Sequence, residues 1–408
     1  MRMKLNKSSQ LLLASTLSLA AAGFLTACAT LTADFVYVTS AKAAGPNNYG
    51  QVDVFEVNSE SGQMRQIPTS PFPSGGRNPV AEAVSSDHTN LYVVNRDDNT
   101  IVQFIIGNDG KVYPQNTVNT PGIFPIAVAV SGTNLFVANT YQPLPTCSPA
   151  SPCTGSVSMY PIQVTSNTVS GSTGSVPVNG TLGSPAVNTT LSTNYWPLTL
   201  PTSPNDIILP TAVAAAGDAV FVAAYDTTAN TGYVFEFTVT SGALSPSGVV
   251  PAGIYPSAVA VATVSGNSYI YVTDSTSGNV LGFTASGTPL PGSPYPAGNK
   301  PSAVIVDINA QYAYVANSLD STVTAYSISS GALTRLGEYT TGTQPVAMGI
   351  DPSLNEYLYT ANFLGNTVSG FQIQASDGTL VNSKGSSFAA STNPTAVAAI
   401  PHGTASKQ

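Results

Sequence analysis

Pro301-Ser302-Ala303, followed by Ala313-Tyr314-Val315-Ala316-Asn317 and then by Ser321-Thr322-Val323, is one copy of a phrase that runs along the whole chain. Its opening word (proline, any residue, alanine) recurs at Pro79, Pro125, Pro210, Pro256, Pro301, Pro345 and Pro394, at intervals of 46, 85, 46, 45, 44 and 49 residues. The aromatic-aliphatic second word returns as Leu91–Asn95, Leu135–Asn139, Val220–Ala224, Ile270–Asp274 and Leu358–Asn362. Short β-branched and aromatic runs separated by Gly, Asn and Ser read as strands joined by tight turns. A period near 45 residues with several such strands marks a β-propeller, because one unit cannot bury its faces alone and must stack in a ring.

Seven openings predict an all-β, seven-bladed propeller of four-stranded antiparallel blades over residues 34–401. Pro394 is followed by a single strand, Thr395–Ile400, and the missing strands lie at the other end as Phe35–Thr39, Val52–Val57 and Met64–Ile67. The C-terminal strand is therefore expected to join three N-terminal ones, which removes two open sheet edges. The long interval predicts an insertion in the second blade, about residues 140–207. The last hairpin of each blade carries Gly62, Gly110, Gly242, Gly287, Gly331 or Gly378, with Asn167 expected in the second blade. These residues tolerate the positive φ of a tight hairpin. The alanine of the phrase suits the narrow end of a wedge, where a larger side chain would overpack.

The chain opens with Arg2, Lys4 and Lys7, an apolar run from Leu11 to Leu25, and then Leu25-Thr26-Ala27-Cys28. The run is too short to span a bilayer comfortably and reads as an export signal. Together with the cysteine box it resembles bacterial lipoprotein precursors. The resemblance implies cleavage after residue 27, lipidation of Cys28, a short linker over 28–33 and attachment to the cell envelope. Ala29 in place of an aspartate points to the outer membrane. The two remaining cysteines, Cys147 and Cys153, both lie in the insertion and are expected to form a short disulfide in that oxidising compartment.

Without residues 1–27 the chain keeps nine basic and twenty acidic residues, a net charge of −11. That balance excludes nucleic acid as a partner. A content of 8% charged residues, against about a quarter in an average domain, leaves a surface of Ser, Thr, Asn, Gly and Tyr. No cofactor and no metal site are expected. The Arg96-Asp97-Asp98-Asn99 turn lacks the spaced oxygen ligands of a calcium loop, and side-chain–backbone turn bonds account for it.

The words Tyr314–Asn317 with Ser321–Val323, and Leu358–Asn362 with Asn366-Thr367-Val368, resemble YVTN-type and lactonase-like seven-bladed propellers over nearly all of residues 34–401. The resemblance implies the fold, and it brings in a branch of 6-phosphogluconolactonases that hydrolyse a sugar lactone. Such chemistry needs a base for water, donors for the oxyanion and cations for any phosphate. His88 lies in a turn and His402 in the C-terminal tail 402–408. The candidates instead ring one channel mouth, immediately before the prolines: Asn78, Phe124, Leu209, Tyr255, Lys300, Gln344 and Asn393, with Arg77 alongside. Half of that rim is apolar and half polar, as a small-ligand pocket requires. Glu82 stands where the other inner strands have Val128, Val213, Val259, Val304, Met348 and Val397. It is the candidate general base, and about 16 Å of strand keep it from pairing with Arg77. Tyr195-Trp196 in the insertion reads chiefly as an apolar patch pinning a long loop.

The sequence thus supports a lipid-anchored scaffold binding a small molecule, a glycan or a protein. A lactone hydrolase and a structural envelope protein are the alternatives. Cys28→Ser is expected to leave an unprocessed precursor without lipid. Labelled palmitate incorporated at the wild-type level in this variant would sink the lipoprotein reading.

Overall fold

The computed structural model describes residues 32–147, 150–164, 179–352 and 354–401. Among these every regular element is a strand. The strands form seven antiparallel sheets, each ordered outward from one inner strand. The inner strands are Pro79–Val84, Ile123–Ser131, Ile208–Ala216, Pro256–Val264, Pro301–Val306, Pro345–Ile350 and Pro394–Pro401, for blades 1 to 7 in that order. Each packs on the next, and the last packs on the first, so the ring is closed.

Blade 7 is composite, as the repeat count requires. Its inner strand Pro394–Pro401 pairs with Thr32–Ala44, which pairs with Tyr49–Asn58. The outer position is shared by Met64–Gln66 and the short strand Phe72–Pro73, and in blade 6 by Leu380–Asn382 and Phe388–Ala389. Burial follows the ring: seven separate apolar clusters form, one in each interface between consecutive blades. Stability is thus distributed over sheet-to-sheet seams rather than one central core.

The proline-x-alanine word has a specific backbone meaning. In blades 1 and 3 to 6, proline and alanine pair with consecutive residues of the second strand, as Pro301↔Asn317 and Ala303↔Ala316. The middle residue is the extra one of a β-bulge. Blades 2 and 7 shift register at the same place. A bulge at the strand start bends the chain and spares the ladder a donor that proline lacks. It also frees the middle side chain. Ser257 Oγ donates to the Pro301 carbonyl at 2.6 Å, Ser302 Oγ to Pro345 at 2.7 Å and Thr395 Oγ1 to Pro79 at 2.9 Å, each crossing to the next blade.

A second link crosses the same seams further out. Tyr37, Tyr271 and Tyr314, at one position of the second strand, donate their phenols to the carbonyls of Gly110, Gly331 and Gly378 in the next blade, at 3.0, 2.7 and 3.0 Å. Those glycines also lie against a ring: a Cβ on Gly378 would sit 2.1 Å from Tyr312, and its φ of 74° excludes most side chains. Tyr92 makes the same bond to Gly180 at 2.7 Å. Asn167, expected in this role, lies outside the described residues, and Gly180 with φ of 85° accepts the phenol instead.

The insertion is tied down by the residues expected to do so. Trp196 is 4% exposed and packs in the seam of blades 2 and 3, with Val157, Met159, Leu198 and Phe235 in the same cluster. Cys147 and Cys153 form a disulfide with a Cα–Cα distance of 5.4 Å. Cys28 and His402 lie outside the described residues. Tyr314→Phe removes a buried donor and strands the Gly378 carbonyl, so it should cost about 1–3 kcal/mol. A urea midpoint equal to wild type would show that this phenol holds nothing.

Candidate channel-mouth site

The residues before the prolines gather at one mouth of the channel because every inner strand starts there. The entry turn uses the left-handed region at Asn78, Phe124, Lys300, Gln344 and Asn393, with φ between 51° and 59°. Asparagine accepts this readily. Phe, Lys and Gln pay roughly 1–2 kcal/mol for it. Neighbouring turns impose it. The Phe124 amide donates to Asn99 Oδ1 at 2.7 Å, Gln344 to Ser321 Oγ at 3.3 Å and Asn393 to Asn366 Oδ1 at 2.9 Å. Each acceptor belongs to the turn between the second and third strands of the preceding blade. In blade 4, Asp274 accepts the amides of Ile254 and Tyr255 at 2.8 and 3.0 Å.

Blades 2 to 4 supply the aromatic half of the rim. Phe124 meets Tyr141 edge-on at 6.2 Å, and the Arg96 guanidinium lies 4.7 Å from the centre of the Phe124 ring. Tyr255 is exposed and packs against Tyr225 with centroids 4.9 Å apart; Tyr225 donates to Asn230 Oδ1 at 2.5 Å. Leu209 is half-buried beside them. Sequence reasoning missed Tyr141, Tyr225 and Arg96, which end second strands rather than precede prolines. It also missed Leu319 and Leu364, 69% and 60% exposed at equivalent hairpins of blades 5 and 6. Their signal was a leucine inside a turn motif, Ser318–Ser321 and Phe363–Asn366.

The polar half differs in how its cations are employed. Arg77 is clamped by Asp98, with Nε and Nη2 both 2.6 Å from Oδ1 and the Arg77 amide 2.7 Å from Oδ2. Hydrogen bonding to Asp98 and its charge raise the guanidinium's pKa. The Asp98 carboxyl is pushed up by its partial burial but is held below the usual range by the bonds and charge of Arg77. Asn78 Nδ2 donates to Asp97 Oδ1 at 3.2 Å. Lys300 is exposed, and among the described residues the ion pairs involve Arg65, Arg77, Arg96, Lys111 and Arg335 but not Lys300.

Glu82 lies deeper, between blades 1 and 7. Its Oε2 accepts a short hydrogen bond from Thr39 Oγ1, and its Oε1 has no partner. Burial pushes the carboxyl up to about 7, against the Thr39 hydroxyl and the Ala398 backbone, which pull it down; the Asp53 charge pushes it further up. Asp53 itself accepts the Ser391 amide at 2.8 Å, Ser391 Oγ at 3.0 Å and Gln66 Nε2 at 2.7 Å. The rim cations are not among the groups acting on Glu82. His88 sits at the opposite mouth, where burial lowers its pKa. Among the described residues no three His, Cys, Asp or Glu side chains are placed to hold a metal ion. Two cavities of about 570 and 510 Å³ lie away from the channel, between the insertion (Val187–Thr202) and the outer strands of blade 3.

The profile of the lactonase seven-bladed β-propellers matches residues 47–169 and 284–399. The chain belongs to that family. Tyr225 and Tyr255 fall between the two matched segments of the lactonase-like propeller. Among solved structures it is similar to a Bacteroides fragilis protein assigned as a 6-phosphogluconolactonase, at 18% identity and TM-score 0.66, covering 90% of this chain and 98% of that one. A periplasmic gluconolactonase of Pseudomonas aeruginosa is similar at 17% identity and TM-score 0.62, with coverage of 90% and 98%. A Lactobacillus plantarum protein gives 17% identity and TM-score 0.65, covering 90% and 99%. These similarities show the shared fold. No curated protein sequence matches the chain.

Proposed function

We propose that this lactonase-like propeller is a binding protein that takes a ring-bearing, hydroxyl-rich ligand at the channel mouth and is carried outside the cytoplasm on a lipid at Cys28. The observation that carries the reading is the divided rim. Tyr225 against Tyr255 offers an exposed aromatic surface on one side, extended by Phe124 with Arg96 stacked on it. Asn78, Lys300, Gln344 and Asn393 offer donors and acceptors on the other. Aromatic faces pack on the C–H surface of a saccharide while polar side chains order its hydroxyls. Arg77 is consumed by Asp98, so the mouth is poorly provided for a doubly charged phosphate, which favours an unphosphorylated ligand.

Lactone hydrolysis is the second reading, and one observation favours it. Glu82 combines an unpartnered Oε1 with a pKa of about 7, which suits a general base working near neutrality. The oxygen would accept a proton from water as that water attacks the lactone carbonyl.

Binding of glucono-δ-lactone and of gluconate by calorimetry, with hydrolysis followed by pH-stat, separates the two. Tyr255→Ala and Lys300→Ala should each weaken binding about tenfold or more with the melting transition unchanged. Glu82→Gln should preserve binding, and it lowers turnover at least a hundredfold only if Glu82 is the base. Wild-type affinity in both rim variants would remove the mouth as the binding site.

A further inference from the structure

The strand Thr32–Ala44 that closes the ring is held differently toward blade 6 than the corresponding strands of other blades. Tyr359 occupies the same place in its blade as Tyr37, Tyr271 and Tyr314. Those phenols end on a hairpin glycine carbonyl. The Tyr359 phenol instead ends on Asp34 Oδ2, at 3.0 Å. Asp34 and Tyr359 are both fully buried. The carboxyl of Asp351, also fully buried, faces Asp34 across the seam and accepts the amides of Leu354 and Glu356 at 3.2 and 3.4 Å. Among the described residues no donor reaches Asp34 Oδ1. Two carboxylates cannot bond to each other: each only accepts, and one proton between them resolves both the contact and the orphaned oxygen.

We propose that the ring is latched shut by a proton, which Asp34 of the closing strand and Asp351 of blade 6 share across their interface, and that losing this proton loosens the N-terminal end of the closing strand. The charged groups that face Asp34 favour its protonated form, and the Tyr359 hydroxyl opposes them. From blade 6, Glu356 adds negative charge and Tyr359 a hydrogen bond, with Tyr357 nearby. From blade 1, His88 faces Asp351, and burial keeps its pKa low, so it brings little compensating charge at neutral pH. The inner strand Pro394–Pro401 has no titratable side chain. Burial first, and then the Asp351 charge, push Asp34 up to about 8, with the Tyr359 bond opposing them. The other flank is also carboxyl-held: Thr39 of the same strand donates to Glu82 of blade 1.

An acid whose pKa is raised on folding contributes stability fully below its unfolded value and loses it as pH rises through the folded value. The latch's contribution to stability is therefore full below about pH 4 and declines as pH rises to about 8, where the folded chain gives up the proton, the folding constant falling by at most about tenfold per pH unit. The test uses the full-length protein. Amide exchange of residues 32–40, corrected for intrinsic rates, is followed with urea midpoints from about pH 5 to 9. Wild type should lose protection in this strand as pH rises. Asp34→Asn, whose carboxamide donates to Asp351 at every pH, should flatten that loss, while the pH dependence owed to Glu82 persists. Equal protection at both ends of the range in wild type, or an unaltered loss in Asp34→Asn, overturns the proposal. Should Asp34→Asn fail to fold, a carbon-13 carboxyl titration of wild type decides. An Asp34 midpoint above about pH 6 supports the latch, and one at or below it overturns it.

Discussion

Seven sheets converging on one axis leave little width at the inner strands, and the bulge at the start of each is how this chain meets that constraint. Proline fits because the ladder does not require its donor there, and alanine fits because the wedge is narrow. The bulged residue is turned out of the pairing register. In blades 4, 5 and 7 it is Ser257, Ser302 or Thr395, and its hydroxyl reaches the next blade. In blades 1, 2 and 6 it is Val80, Ile126 or Val346, which bring no such hydroxyl. The residue before the proline lies in the entry turn that builds the rim, just ahead of the bulge. Local backbone geometry, interface bonding and the placement of the candidate site are therefore one solution repeated around the ring.

Much of this was legible in the sequence because it repeats. The prolines gave the number of blades and the composite closure, and they placed the rim residues, since a residue before an inner strand cannot be elsewhere. Individual partners were less legible. Glu82 stood out against six aliphatic equivalents, but its partner Thr39 belongs to another blade, 43 residues earlier. No local pattern joins positions 39 and 82. Asp34 carries no repeat signal, and only the three-dimensional seam sets it beside Asp351. The Arg77–Asp98 clamp had a plain sequence signal, an acidic pair in the turn of the same blade, yet which cation it would neutralise depended on backbone curvature. Tyr225 and Tyr141 escaped because attention to the residue before the proline overlooks the end of the second strand, which faces the same mouth.

The polar interactions differ in kind with position. Across most of the ring the crossing bonds join neutral groups, phenol to carbonyl or hydroxyl to carbonyl, whose strength varies little with pH. Asp307 of blade 5 accepts from Asn355 of blade 6 at 2.9 Å, and around blade 7 three carboxyls, Asp34, Asp53 and Glu82, gather and are all raised by burial. This is the blade whose strands come from both ends of the chain. Its pairing of Thr32–Ala44 with Pro394–Pro401 joins the two ends of the propeller, and Ser391 reaches Asp53 across the same closure.

The direction of the closing strand has a mechanical consequence. Thr32–Ala44 enters at the mouth opposite the rim and lies between the inner strand Pro394–Pro401 and Tyr49–Asn58. A pull on the residues upstream of Thr32, directed away from that mouth, runs along the strand axis. It loads the hydrogen bonds on both flanks in parallel, as shear, instead of peeling them one at a time. A pull in that direction therefore meets the strongest loading geometry the sheet possesses.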